Sequence, residues 1–342
     1  MLLVLIIIMA VWLFYHLQRY IVYDKDGLRL DLSAQREEIL HPGQSEVVDA
    51  PSTFVPVDVE IVVKEKDYSE LVTSAGSNLQ PIKAVSVPAA EVSESVLKYY
   101  SSNMGDFDTL ILELKAEDGF LRWHSSVAMA DSFAVNGTLE LAESVTTLKE
   151  NGVYLVARLS ALSDALMAQR NVPIALKNAA SGGAFTDGKG NYYLDPYSSG
   201  TRDYLRSLMS ELQAIGFDEI LLDGFVCPDS EYLQFSQSMT QTPTPATALS
   251  SLALWLREQA DAIGIKLSVV MEPDALRSET VLLGQNPVLL FRVFDRVAVE
   301  TDFDHMETDL SAMEAALGSD DENRSILITD NFAPERKSYI VK

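Results

Sequence analysis

Charged side chains stand at or just after the ends of several short apolar segments. Five of these segments end in a carboxylate and one in an arginine. The residues are Glu113 (with Lys115 two positions on), Arg158, Asp223, Glu272, Glu300 and Asp330. Glycoside hydrolysis uses two carboxyl groups, one on each side of the bond that is cleaved. One of them acts as an acid and the other as a nucleophile or base. Crowding and burial separate the pKa values of the two groups. Each residue alone could instead cap a helix or lie solvated in a loop, but a ring of them around one mouth predicts a glycosidase site.

Other chemistries find less support in the residue types. The chain has one cysteine, Cys227, so an internal disulfide and a zinc site built on cysteines are excluded. The four histidines are scattered, and the sequence contains no HExxH pair, GxSxG elbow or DxDxDG loop. Acidic clusters can bind Mg²⁺ or Ca²⁺, but no spacing indicates such a site, and we expect no cofactor.

The charge balance excludes one class of partner. Lys and Arg total 26 and Asp and Glu total 50, which gives a formal net charge of −24 over 342 residues. Nucleic-acid binding needs a surplus of cations, so we expect no nucleic-acid partner. The 47% of hydrophobic residues suffices for a substantial core.

A strand–helix unit recurs from residue 81 onward. Amphipathic helices end at Gly152, Gly216 and Gly264, and an apolar segment follows each glycine. Glycine suits the position after a helix end, and continuous apolar runs suit strands buried on both faces of a parallel sheet. The predicted strands are Ile82–Val87, Leu110–Leu114, Val153–Ala157, Ile220–Leu222, Leu267–Met271, Val297–Val299, Ile326–Thr329 and a poorer Ser338–Val341.

Eight such units in about 260 residues predict an α/β TIM barrel, with the last units less regular. The alternative is an open doubly wound sheet, which needs fewer strands. No GxGxxG follows the first strand, so its dinucleotide-binding version loses support. In a TIM barrel the catalytic groups lie at the C-terminal ends of the strands, where the charged residues above would meet.

The loop after the third predicted strand is long and rich in tyrosine. Asp187-Gly188 to Gly190 predicts a hairpin turn. Tyr192, Tyr193 and Tyr197 follow it, and their rings could stack on sugar faces or simply pack a surface hairpin. The sequence does not decide between these two uses.

The N-terminal residues form an apolar segment, Leu2–Tyr15, with no small-residue cleavage site after it. Residues 1–23 are therefore predicted to form an uncleaved membrane anchor, in which Ile21–Tyr23 lengthen the apolar span. A buried core helix is the alternative. Residues 24–80 are predicted to be a tether with one short strand, Val57–Val63, and residues 81–342 to be the barrel domain.

The orientation of this anchor is ambiguous by charge. Arg19, Lys25 and Arg29 lie after the apolar segment, which by the positive-inside rule would place the body in the cytoplasm. The acidic body and the resemblance described next favour the outside, and we expect a membrane-anchored protein with an extracellular body.

Several segments resemble one family. Val153–Arg158, Asp195–Tyr197 and Gly216–Asp223 are similar to motifs of the putative glycosyl hydrolase domain of bacterial surface proteins, and Leu110–Gly119 is similar to its second-strand motif. The resemblance covers residues 81 to 300. It implies a TIM barrel akin to those of the alpha-amylase clan, without a cofactor, acting on a polysaccharide or oligosaccharide.

The resemblance also implies roles for residues. By analogy with the amylase clan, Asp223 would be the nucleophile, Glu272 the acid/base and Asp330 a stabilising acid. Arg158, Glu113, Lys115, Tyr197 and Glu300 would bind substrate. The family's Tyr and Arg after the strand-four Asp are Gly224 and Val226 here, its strand-two Asp is Glu113, and its following Asp is Ala116.

These departures leave two hypotheses open. The first is a membrane-anchored glycoside hydrolase acting on an extracellular or cell-wall polysaccharide. The second is a catalytically degenerate barrel that binds glycan or scaffolds an envelope complex. A third hypothesis is a cytoplasm-facing membrane enzyme using Mg²⁺. It rests only on the basic residues that follow the apolar N-terminal segment.

Overall fold

The computed structural model describes residues 68, 70–228, 230–236, 243–278, 283–330 and 334–342, and the backbone of 21–24 and 27–30. The chain divides into two compact units, residues 1–64 and 65–342. In the first unit, β1 (Ile21–Asp24) and β2 (Gly27–Leu30) form an antiparallel hairpin that pairs Ile21 with Leu30.

The second unit carries the remaining strands. In chain order they are β3 (Lys83–Val87), β4 (Thr109–Lys115), β5 (Tyr154–Ser160), β6 (Lys177–Asn178), β7 (Glu219–Asp223), β8 (Leu233–Gln234), β9 (Lys266–Met271), β10 (Val297–Glu300), β11 (Ser325–Thr329) and β12 (Tyr339–Val341). All except the short antiparallel pair β6 and β8 join in one closed parallel barrel of eight strands. The predicted TIM barrel is confirmed, and closure excludes the open doubly wound sheet.

Helices surround the barrel and begin on the side where the strands end. They are α1 (Glu94–Tyr100), α2 (Ala128–Ser132), α3 (Ala142–Glu150), α4 (Ala165–Arg170), α5 (Ser199–Ile215), α6 (Pro245–Ile263), α7 (Pro273–Arg277), α8 (Pro287–Val293) and α9 (Met306–Leu317). The helix-terminal glycines were correctly placed, because Gly152, Gly216 and Gly264 all have positive φ.

Two apolar cores result from the alternation of side chains along each strand. Side chains of one parity fill the barrel interior, and those of the other parity pack against the helices. The interior residues are Ile82, Ala84, Ile111, Val156, Leu221, Val270, Ala298, Ile326, Ile328 and Ile340. Below this layer Arg296 pairs with Glu219 at 3.2 Å, with both side chains 2% exposed, so the floor of the barrel is closed by a buried ion pair.

Most of the predicted anchor and tether lies outside the described residues. Residues 1–20 are not described, and Ile21–Tyr23, which the prediction added to the apolar span, belong to strand β1. The predicted strand Val57–Val63 also lies outside the described residues. Within the part of the chain that is described, no helix has the length and apolar character needed to cross a membrane.

Candidate active site

The alternation of side chains along each strand, which fills the barrel interior, also determines where the charged side chains at the strand ends point. Each of these charged residues stands two positions after an apolar side chain of the interior, and therefore on the same face of its strand. The pairs are Ile111 and Glu113, Val156 and Arg158, Leu221 and Asp223, Val270 and Glu272, Ala298 and Glu300, Ile328 and Asp330, and Ile340 and Lys342. We call the end of the barrel that these charges line the mouth.

Arg158 is the centre of the mouth. Its Nε and Nη2 both donate to Oδ2 of Asp223, at 2.9 and 2.5 Å, and Nη2 also donates to Oε1 of Glu300 at 3.3 Å. The guanidinium is 12% exposed. Burial disfavours its charge, but Asp223, Glu113 and Glu300 outweigh burial and raise the pKa of Arg158. Arg158 ends a segment that resembles the family, so the mouth contains an arginine although Val226 stands where the family has one after the strand-four Asp.

Two further contacts tie the rim of the mouth together. Glu300 accepts from Nζ of Lys342 at 2.7 Å through its second oxygen, so the C-terminal residue closes the ring. Oε2 of Glu113 accepts from the backbone N–H of Ala89 at 2.7 Å, which fixes that carboxylate against the loop after β3. Both carboxylates therefore have defined positions.

Glu272 differs from Asp223 in its surroundings. Burial, followed by repulsion from Asp223, Glu300 and Glu117, raises the pKa of Glu272. Its backbone N–H donates to Oε1 of Gln285 at 2.9 Å, and Nε2 of the same fully buried glutamine donates to the carbonyl of Phe225 at 3.0 Å. Gln285 thus joins the end of β9 to the loop that leaves Asp223.

Sequence reasoning missed both Gln285 and Glu117. Burial raises the pKa of Glu117, and Asp223 and Glu113 add to the effect, whereas a hydrogen bond from Ser163 opposes it. Glu117 follows the end of β4 by two residues, and that proximity to a strand end was its available signal. No local pattern marks Gln285, because its partners are distant in sequence.

Gly224 explains why the family's tyrosine is absent at this position. Its φ is +51°, and a Cβ there would lie 2.4 Å from Oγ of Ser160 and 2.9 Å from Cβ of Ser163. The backbone N–H of Gly224 donates to Oδ1 of Asp223 at 2.7 Å. A side chain at this position would push the loop, and Asp223 with it, out of place.

Lys115 does not line the mouth, contrary to the prediction. The β4–β5 register shifts between Glu113 and Lys115, so Lys115 pairs with Leu159, whose side chain belongs to the outer core. There Nζ of Lys115 lies 2.8 Å from Oδ2 of Asp164, both side chains are 0% exposed, and Nζ also donates to the carbonyl of Ser160. The bulge turns Lys115 into a buried structural residue.

Two other predicted residues lie apart from this cluster. Asp330 follows β11 on the mouth side and is exposed, and none of the described cations forms an ion pair with it. Tyr197 packs edge-on against Phe235, with ring centroids 5.7 Å apart, and lies beneath the guanidinium of Arg202. The contacts of Tyr197 therefore lie in a separate groove.

The predicted hairpin is present, and its tyrosines pack within it. Thr186 bridges Tyr192, and Oδ2 of Asp187 accepts from the hydroxyl of Tyr193 at 2.8 Å. Tyr193 is buried, so packing explains that ring. Among the described residues, no group of three or more His, Cys, Asp or Glu side chains is placed to hold a metal ion.

Comparison with known proteins agrees with this architecture. A family model described as "Putative glycosyl hydrolase domain" matches residues 82–298, which confirms the resemblance inferred from the sequence. No curated protein matches the chain.

Solved structures are similar to the chain at low sequence identity, and the first of them shares its fold. The glycoside hydrolase domain of PgaB (BpsB) from Bordetella bronchiseptica is 12% identical, with a TM-score of 0.56 over 77% of this chain and 94% of that one. The glycoside hydrolase domain of PelA from Pseudomonas aeruginosa is 19% identical over 75% and 86% of the two chains, with a TM-score of 0.44. A hypothetical protein from Ruminiclostridium thermocellum is 20% identical over 54% and 96%, with a TM-score of 0.47.

Proposed function

Because the chain belongs to the family of the putative glycosyl hydrolase domain, we propose that its mouth hydrolyses glycosidic bonds of a polysaccharide. One observation carries the proposal: two inward-facing carboxyl groups of the mouth have unlike environments. Asp223 is paired with Arg158, whereas burial and four neighbouring carboxylates, Asp274 among them, raise the pKa of Glu272. Such a split is how glycosidases keep one carboxyl group as an acid and the other as a carboxylate.

The roles follow from these environments. Asp223 attacks the anomeric carbon, and Glu272 protonates the leaving oxygen and then takes a proton from water. Asp330 stabilises the oxocarbenium-like transition state. Arg158 orients Asp223, Glu113 and Glu300 contact the sugar in the mouth, and Tyr197 contacts a part of the glycan outside the mouth.

The setting of the reaction is part of the same proposal. The apolar N-terminal segment anchors the protein in a membrane, and the residues between it and the unit at 65–342 act as a tether. The barrel faces the outside, where it meets a cell-wall or other extracellular polysaccharide. The apolar N-terminal segment and the acidic composition support this setting.

A binding barrel without turnover is the second candidate, and one observation favours it. Both oxygens of Asp223 accept hydrogen bonds, Oδ2 from Arg158 and Oδ1 from the N–H of Gly224. Hydrogen bonds on both oxygens withdraw electron density from the carboxylate and make it a weaker nucleophile than a free one. A barrel of this kind would retain glycan and leave it intact.

Hydrolysis and binding assays separate the two candidates. A glycan array probed with the protein identifies ligands, and reducing-sugar release from the same glycans measures turnover. The enzyme reading predicts turnover that disappears in Asp223→Asn and in Glu272→Gln while the melting temperature is kept. Binding without any turnover by the wild type would favour the second candidate.

Asp274→Asn is a matched control for these variants. Asp274 is exposed and follows Glu272 by two positions, on helix α7. Its replacement removes the smallest of the four charge effects that raise the pKa of Glu272 and leaves both proposed catalytic carboxyl groups in place. Turnover should persist in Asp274→Asn, and its loss there would mean that net charge, rather than specific carboxyl groups, controls the reaction.

A further inference from the structure

A second concave surface lies on the mouth side of the barrel, at the start of helices α5 and α6. It encloses about 630 Å³, within the usual range for ligand sites. Its lining shares no residue with the mouth and is rich in hydroxyl groups, which come from Tyr197, Ser198, Ser199, Ser236 and Ser251. We call this surface the Arg202 groove, after the one charged residue in its lining.

Arg202 is held rigidly between two aromatic rings. Its guanidinium lies 6.0 Å from the ring centroid of Tyr197 and 5.6 Å from that of Trp255. Its Nε donates to the carbonyl of Pro196 at 3.0 Å, and Nη2 donates to Oγ of Ser251 at 2.9 Å. These contacts leave further N–H groups of the planar guanidinium available to a ligand.

No carboxylate of the described residues forms an ion pair with Arg202, unlike Arg158 in the mouth or Arg206 one turn along the helix. Burial lowers the pKa of Arg202, and Tyr197 and Asp195 oppose this effect only in part. The guanidinium is therefore partly withdrawn from water without a carboxylate partner. In a chain of net charge −24, this is an unusual environment for a cation.

The walls of the groove are also fixed. Asp195 is buried behind it and accepts from the backbone N–H of Tyr197 at 2.9 Å and of Ser236 at 2.5 Å. This carboxylate joins the loop before α5 to the segment that follows β8. The hydroxyl groups of the groove are thus held on a preformed surface, which lowers the entropic cost of binding.

We propose that the Arg202 groove binds a sugar residue of a glycan chain, as a subsite outside the mouth. Aromatic rings offer apolar planes to sugar C–H groups, and a planar guanidinium with several hydroxyl groups matches the donors and acceptors of a pyranose ring. The inference rests on the proposed function to the extent that the glycan is the one presented to the mouth.

Trp255 lies behind the groove lining, in contact with Arg202, and reports occupancy through that side chain. The experiment titrates the full-length Asp223→Asn protein with maltoheptaose and, separately, with chitohexaose, and follows tryptophan fluorescence and calorimetric heat. At least one oligosaccharide should bind and change the emission, and Trp255→Phe should abolish the change. Trp12 and Trp123, the latter buried at 1% exposure, remain in Trp255→Phe and give the background emission.

Two variants and one matched control locate the site. Ser199 is exposed in the first turn of α5, so Ser199→Glu should keep the fold while its carboxylate pairs with Arg202 and fills the groove. This variant and Arg202→Gln should each lower affinity at least tenfold. Arg206→Gln, on the same helix but paired with Asp203, should bind as the parent does.

Three results would overturn the inference: neither oligosaccharide binds, binding survives both groove variants, or sodium sulfate occupies the groove through Arg202 while the oligosaccharides do not. The last result would identify an anion site. The inference and the proposed function fail separately. If binding depends on Arg202 but the wild type shows no turnover, the proposed hydrolase function is wrong and the groove site stands. If the wild type shows turnover but Ser199→Glu binds as the parent does, the groove site is wrong and the hydrolase function stands.

Discussion

Replacing Lys115 by methionine should destabilise the barrel and leave substrate affinity unchanged. Nζ of Lys115 lies 2.8 Å from Oδ2 of Asp164, and neither side chain has exposed surface. Methionine fills a similar volume, so the main loss is electrostatic. Asp164 would remain buried without its cation.

The magnitude follows from complete burial. Breaking one side of a buried ion pair costs about 3–5 kcal/mol, because the remaining charge is uncompensated. Solvent screening does not reduce this figure, since both groups are shielded from water. Asp164 also caps α4 by accepting from the N–H of Met167 at 2.8 Å, so the free energy of unfolding and the order of that helix should fall together.

The loss should depend on pH. Burial raises the pKa of Asp164 above its usual value, and Lys115 opposes this rise. Without Lys115 the folded-state pKa goes higher still. A carboxyl group with a raised folded-state pKa lowers stability as pH rises from its unfolded to its folded pKa. The deficit of Lys115→Met is therefore largest at neutral pH and shrinks in acid, where Asp164 is protonated.

Urea unfolding at pH 7 and pH 5 measures the effect, with Lys189→Met in the exposed hairpin turn as the control. Adding Asp164→Asn to Lys115→Met keeps the helix cap and removes the stranded charge, so most of the lost stability should return. If Lys115→Met unfolds like the wild type but has a raised KM, the structural role of Lys115 is wrong. Its predicted role in substrate binding would then be supported.

Three other changes test the mouth. Gly224→Ala should lower the free energy of unfolding by about 2–5 kcal/mol, the sum of ~1–2 for a left-handed alanine and ~1–3 for overpacking against Ser160, as urea unfolding would measure. Gln285→Leu should leave two backbone groups, the N–H of Glu272 and the carbonyl of Phe225, without their hydrogen-bond partner, at about 1–3 kcal/mol each. Because the change loosens Glu272, it should lower kcat more than KM. An unchanged kcat would contradict the positioning role. Glu300→Gln removes a charge that raises the pKa of Glu272, so the basic limb of kcat/KM should move to lower pH; an unmoved limb would assign it to another group.

Much of the fold was predictable because its signals are local. Each strand is an apolar run, several of the runs follow a glycine-terminated helix, and the eight runs found in the sequence are the eight barrel strands. The period of two along a strand also places Arg158, Asp223, Glu272 and Glu300 on one inward face. These residues needed no long-range information beyond the closure of the barrel.

The wrong and missed site residues depend on contacts between residues distant in sequence, which a local hydrophobic pattern does not reveal. The bulge after Glu113 turns the side chain of Lys115 from the barrel mouth into the outer core. The cost of burying this charge is offset by the ion pair with Asp164, which is 49 positions away. Gln285 bridges two loops through backbone groups that any sequence would present.

Covalent trapping tests the central claim, that Asp223 attacks sugar within this ring of carboxyl groups. The protein would be incubated with the 2-deoxy-2-fluoro glycosyl fluoride of the sugar that hydrolysis releases, and the modified peptide would be mapped by mass spectrometry. The account predicts one added glycosyl group on Asp223 and none in Asp223→Asn. A label on another residue, or no label from an enzyme that still cleaves the polysaccharide, would contradict it.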